Sequence, residues 1–181
     1  LTQCYKEKQL KRQTMADLQI LTKEEYQQIV YDYNRTDREY PTDKTMHQLF
    51  EERVEKTPNN IAVVFEDNEL TYKELNARSN QLARYIREKY KEQTREKLKP
   101  DTLIALCLDR SHEIIIAILA VLKAGGAYVP IDPNYPDERI HYILHDTNTQ
   151  VVITHARLEK QVKAITEKDK QIQLIIVDSK E

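Results

Sequence analysis

Residues Leu122–Asp132 read LKAGGAYVPID and compress a helix end, a turn, a short apolar strand and an aspartate exit into one run. The turn holds Gly125 and Gly126, the only two glycines of the chain. Glycine enters positive φ without steric penalty, so Gly125 is expected at the left-handed position that ends the preceding helix. That helix carries Ile114–Leu122, apolar on nearly every side, which requires packing on more than one face. After the turn, Tyr128 reads as packing, Pro130 as an edge-strand proline and Asp132 as a turn residue.

The same alternation runs along the rest of the chain. Thr45-x-x-Gln48 forms a capping box that opens a helix to about Lys56, with Leu49, Phe50 and Val54 inward. Thr57–Asn60 is a turn, Ile61–Phe65 an apolar strand, and Asp67-Asn68 a hairpin turn into Leu70-Thr71. Thr71-x-x-Glu74 is a second capping box. It starts a long helix with Leu75, Ser79, Leu82 and Ile86 buried, running past Tyr90 into the charged stretch before Pro100. Thr102–Leu108 is the next strand, Ser111 caps the helix that follows, and Ala127–Ile131 is another strand. Pro136 suits a first helical turn, with Asp137 and Glu138 behind it and Ile140, Ile143 and Leu144 inward. Strands at Gln150–Thr154 and Ile172–Val177 flank a helix near Ala156–Ala164. Continuous apolar strands alternating with helices predict an α/β fold, a mostly parallel sheet with helices on both faces.

The N-terminal stretch differs. Leu1–Gln19 are polar and irregular. Leu21–Asn34 read as a helix with Thr22 as N-cap, Glu24 and Glu25 in the first turn, and Tyr26, Ile29, Val30 and Tyr33 on one stripe. Arg35–Lys44 is a linker by composition, so residues 1–44 are expected to be separate from a domain at 45–181.

At 181 residues, 40% hydrophobic and 32% charged with net charge -2, the chain has room for one domain and an attached segment. Interspersed charge speaks against a nucleic-acid partner: Glu88, Glu92 and Glu96 interrupt the basic stretch Arg87–Lys99. Leu1 opens a polar segment without a secretory signal, and Ile114–Leu122 is about half the roughly 20 residues a spanning helix needs, so no membrane partner is expected. Cys4 and Cys107 make no disulfide framework, and a reducing, cytoplasmic setting fits.

Candidates for chemistry have plainer readings. Phosphate-binding loops need several glycines so that backbone amides can close on the anion. Two adjacent glycines build neither a dinucleotide fingerprint nor a P-loop. His141 and His145 stand at i, i+4 but lack a third ligand, and read as rim histidines. Ser111-His112-Glu113 sets three catalytic residue types side by side, yet helix neighbours point apart, and Ser111 reads as an N-cap. Tyr26, Tyr33, Tyr72 and Tyr142 fit core or rim positions on helices.

Four stretches taken together resemble the adenylation domains of nonribosomal peptide synthetases. Leu70–Asn76 (LTYKELN) is similar to the first core motif of that family and Leu122–Asp132 to the second. His47–Pro58 resembles its opening helix, and Leu21–Pro41 the segment joining a preceding condensation domain to the adenylation domain. Lys91–Lys99 is longer and more charged than the short glycine-containing loop usual there.

The resemblance implies an AMP-forming ligase. It condenses an amino acid with ATP, accompanied by Mg2+, to an aminoacyl adenylate and pyrophosphate. It then transfers the acyl group to a phosphopantetheine thiol on a carrier domain. The phosphate loop, the adenine and ribose motifs and the catalytic lysine of that family are expected after Glu181. The chain therefore matches the N-terminal part of the large adenylation subdomain, inactive alone. No residue is assigned a catalytic, cofactor-binding or metal role. The implied partners are the rest of the adenylation domain, the condensation domain and the carrier domain. Other readings are a piece of an acyl-CoA or aryl-acid ligase, or a non-catalytic interaction module.

Overall fold

The computed structural model describes residues 21–167 and 172–178. The expectations for Leu1–Gln19, including Cys4, lie outside them. The chain divides into two compact units, Leu1–Thr42 and Asp43–Glu181.

In the first unit, helix α1 (Lys23–Gln27) continues as a π-helical stretch, Gln28–Asp32. Thr22 caps it through a full capping box with Glu25, a partner that the sequence reading left unassigned. Asn34 Nδ2 closes the far end by donating to the carbonyls of Ile29 and Val30. The stripe foreseen along this helix stays open: Tyr26, Ile29 and Tyr33 are exposed.

The second unit opens with α2 (Met46–Lys56), started by the expected Thr45–Gln48 box. Strands β1 (Ile61–Phe65) and β2 (Asn68–Thr71) form an antiparallel hairpin in which Phe65 pairs Asn68. The turn is therefore Glu66-Asp67, one residue earlier than expected, because Asn68 already belongs to the ladder. Glu66 takes the positive φ of 53°. The Thr71–Glu74 box starts α3 (Tyr72–Thr94), which passes Tyr90 and stops at Arg95 in left-handed conformation.

Four parallel strands follow: β3 (Leu103–Cys107), β4 (Ala127–Ile131), β5 (Val151–Thr154) and β6 (Gln173–Ile176), in the spatial order β4-β3-β5-β6. Their crossovers run through α4 (His112–Ala124), α5 (Asp137–Asp146) and α6 (Glu159–Thr166), the last preceded by a 3-10 turn at Ala156–Leu158. Pro136 sits at the N-cap of α5 rather than inside its first turn, and its carbonyl accepts from Arg139 and Ile140.

Both faces of the sheet are covered, as continuous apolar strands require. On one side Ile104, Leu106, Val151 and Ile153 pack against Ala83 and Ile86 of α3 and Ala117, Ala120 and Val121 of α4. On the other, Ala105, Cys107 and Val152 meet Ile140 and Leu144 of α5 and Val162 and Ile165 of α6. A third cluster joins Leu70, Leu75 and Ile116 beneath the hairpin. No helix among the described residues is long and apolar enough to cross a membrane.

Candidate functional site

The strand order fixes where a ligand crevice belongs. From β3 the chain leaves through α4 toward β4; from β5 it leaves through α6 toward β6, on the opposite face. Adjacent parallel strands whose connections diverge in this way open a crevice at their carboxyl ends, the switch point at which α/β sheets bind ligands. Here the crevice lies between the residues after Cys107 and those after Thr154, and Thr154 Oγ1 donates to the Cys107 carbonyl at 2.8 Å beneath it.

Polar side chains converge there. His155, almost fully buried, accepts the Asp109 backbone N–H at Nδ1 (3.4 Å). Its Nε2 lies 3.3 Å from Ser111 Oγ, and the serine hydroxyl donates to the Asp109 carbonyl. Glu113 Oε2 lies 4.0 Å from Nε2, Asp109 Oδ2 lies 3.7 Å from Nδ1, and Arg157 pairs with Asp109. The grouping holds a serine, a histidine and a carboxylate, but the serine hydroxyl and Asp109 are already engaged, by the Asp109 carbonyl and by Arg157. The arrangement instead ties the loop after β3 to the loop after β5.

The run Ser111-His112-Glu113 thus separates in space. Ser111 holds the N-cap backbone position of α4 but makes no side-chain bond to the helix, because its hydroxyl turns to His155. Ser111 is thus the N-cap expected, by backbone position rather than by a side-chain bond. His112 is buried, 3.1 Å from the Asn68 carbonyl and edge-on to Phe65, and so holds α4 against the hairpin. His141 and His145 stack at 6.4 Å between centroids. Among the described residues no three His, Cys, Asp or Glu side chains gather as a metal site. Tyr72 packs against Phe50, whereas Tyr26, Tyr33 and Tyr142 are exposed, Tyr26 edge-on to Tyr31 and Tyr142 beneath the Arg139 guanidinium.

The glycine pair is engaged in the fold. Gly125 ends α4 at φ 93°. At Gly126 a Cβ would lie 2.9 Å from the Thr102 carbonyl oxygen, which already accepts from Ala127. Neither amide is offered to an anion: Gly125 N–H bonds Leu122 and Gly126 N–H bonds Val121.

A second convergence links three of the stretches singled out in the sequence. Lys123, its side chain 5% exposed, gives its three ammonium protons to Glu51 Oε1 (2.5 Å), Asn76 Oδ1 (2.7 Å) and Asn80 Oδ1 (2.8 Å). Its charge also faces the Phe50 ring at 5.6 Å. Beside it, Arg87 donates to the carbonyls of Lys123 and Ala124 at the end of α4. The opening helix, the LTYKELN stretch and the LKAGGAYVPID stretch therefore meet at one buried cation. Sequence reasoning missed this junction; the spacing of Asn76 and Asn80, one helical turn apart, was the available signal.

Residues 50–181 match the family described as AMP-binding enzyme. The chain belongs to this family. Among its curated relatives, bacitracin synthase 3 of Bacillus licheniformis is 48% identical over 148 residues, covering 82% of this chain and 2% of the relative. Gramicidin S synthase 2 of Brevibacillus brevis is 45% identical over 148 residues, 82% of this chain and 3% of the relative. The chain thus spans a few hundredths of the length of these relatives. In fold it is similar to a solved nonribosomal peptide synthetase, FmoA3 in its AMPPNP-bound form, with a TM-score of 0.66 and 24% identity over 84% of this chain and 15% of that one. The resemblance to synthetase adenylation domains read from the motifs stands.

Proposed function

We propose that this chain is the N-terminal part of the large subdomain of an amino-acid-activating adenylation domain in nonribosomal peptide synthesis. Its 48% identity to bacitracin synthase 3 over 148 residues carries this reading. The complete domain would join an amino acid to ATP with Mg2+, release pyrophosphate, and pass the acyl group to a carrier thiol. ATP and Mg2+ supply the activated phosphate chemistry, and the residues present here supply the frame.

In this reading residues 45–181 belong to the adenylation domain and residues 1–44 are the segment after a condensation domain. The partners are that domain, the remainder of the adenylation domain and a phosphopantetheinylated carrier. The setting is the cytoplasm, in keeping with Cys107 as a free, buried thiol.

Amino-acid-dependent exchange of pyrophosphate into ATP tests the assignment. The chain alone is expected to give none, and exchange by it would overturn its reading as a frame. The reading frame beyond Glu181 supplies the complementary test. A Ser/Thr/Gly-rich loop followed by a carrier domain is expected. A coenzyme A site in its place would make the parent an acyl-CoA ligase, and a stop codon there would favour an interaction module.

A further inference from the structure

At the end of the sheet opposite the switch point, α2, α3 and the last turn of α4 enclose an open cleft of about 370 Å³ lined by His47, Glu51, Asn80, Arg84, Arg87 and Lys123. That is the volume of roughly twelve waters at about 30 Å³ each. Its charge is unbalanced. Three permanent cations, Arg84, Arg87 and Lys123, face a single carboxylate, Glu51, and the remaining acid on this stretch of α3, Glu88, does not line the cleft.

The cations are not equally committed. Lys123 has spent all three donors on Glu51, Asn76 and Asn80. Arg87 uses Nε and one terminal nitrogen on the carbonyls of α4, leaving the second terminal nitrogen for a ligand. Arg84 is exposed and has no ion-pair partner among the described residues. His47 stands in the first turn of the 11-residue α2, the positive end of that helix dipole.

We infer that this cleft binds a phosphate-type oxyanion between Arg84 and the free edge of Arg87. The guanidinium fork matches tetrahedral and planar oxyanions in a bidentate way. The two uncompensated charges match a dianion, and the α2 N-terminal turn adds its field. The fixed groups, Lys123 and Arg87, are held by the fold before any ligand arrives, so little ordering is left for binding to pay. The oxyanion is either free phosphate or a phosphate monoester carried by another molecule.

The test uses the whole chain, labelled with 15N, with inorganic phosphate and glycerol 3-phosphate each titrated at constant ionic strength. Arginine side-chain N–H signals are the readout. Saturable shifts at Arg84 and Arg87 are expected, with a Kd of about 1 mM, the weak end of specific affinity. Tighter binding of the inorganic ion identifies the free form as ligand, and tighter binding of the ester an attached one. Arg84→Gln should weaken binding at least fivefold, whereas Lys97→Gln, outside the cleft, should leave it unchanged. Arg84→Lys, which keeps the charge and loses the fork, guards against a folding defect in the first variant and should fall between. Shifts that never saturate, or that survive Arg84→Gln in a folded protein, overturn the proposal.

Discussion

Lys123 Nζ lies 2.5 Å from Glu51 Oε1 across 72 residues of chain. This contact closes the packing of α2 on α3 and α4, and it is asymmetric in burial: the lysine side chain is 5% exposed and the glutamate 44%. Removing the carboxylate leaves a buried ammonium with only two neutral acceptors. Breaking one side of a buried pair costs about 3–5 kcal/mol. Glu51→Ala is therefore expected to cost toward the lower end of that range, about 3 kcal/mol, in urea unfolding, since Glu51 itself is half in water. Glu52→Ala, which breaks the exposed Lys44–Glu52 pair, should leave the midpoint almost unmoved.

The two glycines should fail for different reasons. At Gly125 a side chain meets nothing within 4 Å, but φ is 93°, so Gly125→Ala carries only the left-handed penalty of about 1–2 kcal/mol. At Gly126 the added Cβ strikes the backbone oxygen of Thr102 at 2.9 Å. Overpacking a rigid neighbour costs about 1–3 kcal/mol or more, and the disturbance should reach β3. Hydrogen exchange at Ala127 N–H, which bonds that same oxygen, should accelerate in Gly126→Ala and not in Gly125→Ala.

The capping box at α3 makes an acid-side prediction. The Thr71 backbone N–H and hydroxyl hold the Glu74 carboxyl below its ordinary 4.5. A carboxyl lowered by folding contributes stability that is complete above the unfolded value and is lost as pH falls through the lower folded one. Glu25, held down by Thr22, and Asp132, held down by Asn134, act in the same direction. The unfolding midpoint should therefore be level from pH 7 to about 5 and decline below 4.5. Glu74→Gln should flatten that decline. Thr71→Ala should cost about 1 kcal/mol at neutral pH through loss of the N-cap.

Burial pushes the Cys107 thiol up to about 11. At pH 8 about one thiol in a thousand is then ionised, and the side chain is 1% exposed. In a Cys4→Ser background, alkylation by iodoacetamide at pH 8 should be negligible for the folded protein and rapid in denaturant. Rapid labelling of the folded protein would mean that β3 opens.

Features decided within one turn of chain were legible in the sequence. The boxes at Thr45–Gln48 and Thr71–Glu74 need only residues three apart, and Gly125 ends α4 for a reason contained in glycine itself. Ser111 shows the limit. Its residue type and position both suit a helix cap, yet its hydroxyl answers to His155, 44 residues away. Lys123 shows the same limit more strongly, since a lysine in an apolar helix looks like a solvent-facing residue until three other helical positions surround it. The tyrosines of the N-terminal helix erred in the other direction: helical spacing predicts a stripe, but a short helix with no buried residue of its own cannot cover one.

The two margins of the four-stranded sheet are not equivalent. One is β4, where Pro130 removes a donor from the outward row, since an edge proline turns its missing N–H away from the ladder. The other is β6, Gln173–Ile176, which contains no proline. A further strand laid along β4 would therefore lack a donor at Pro130, a gap that no residue of β6 imposes by its own chemistry.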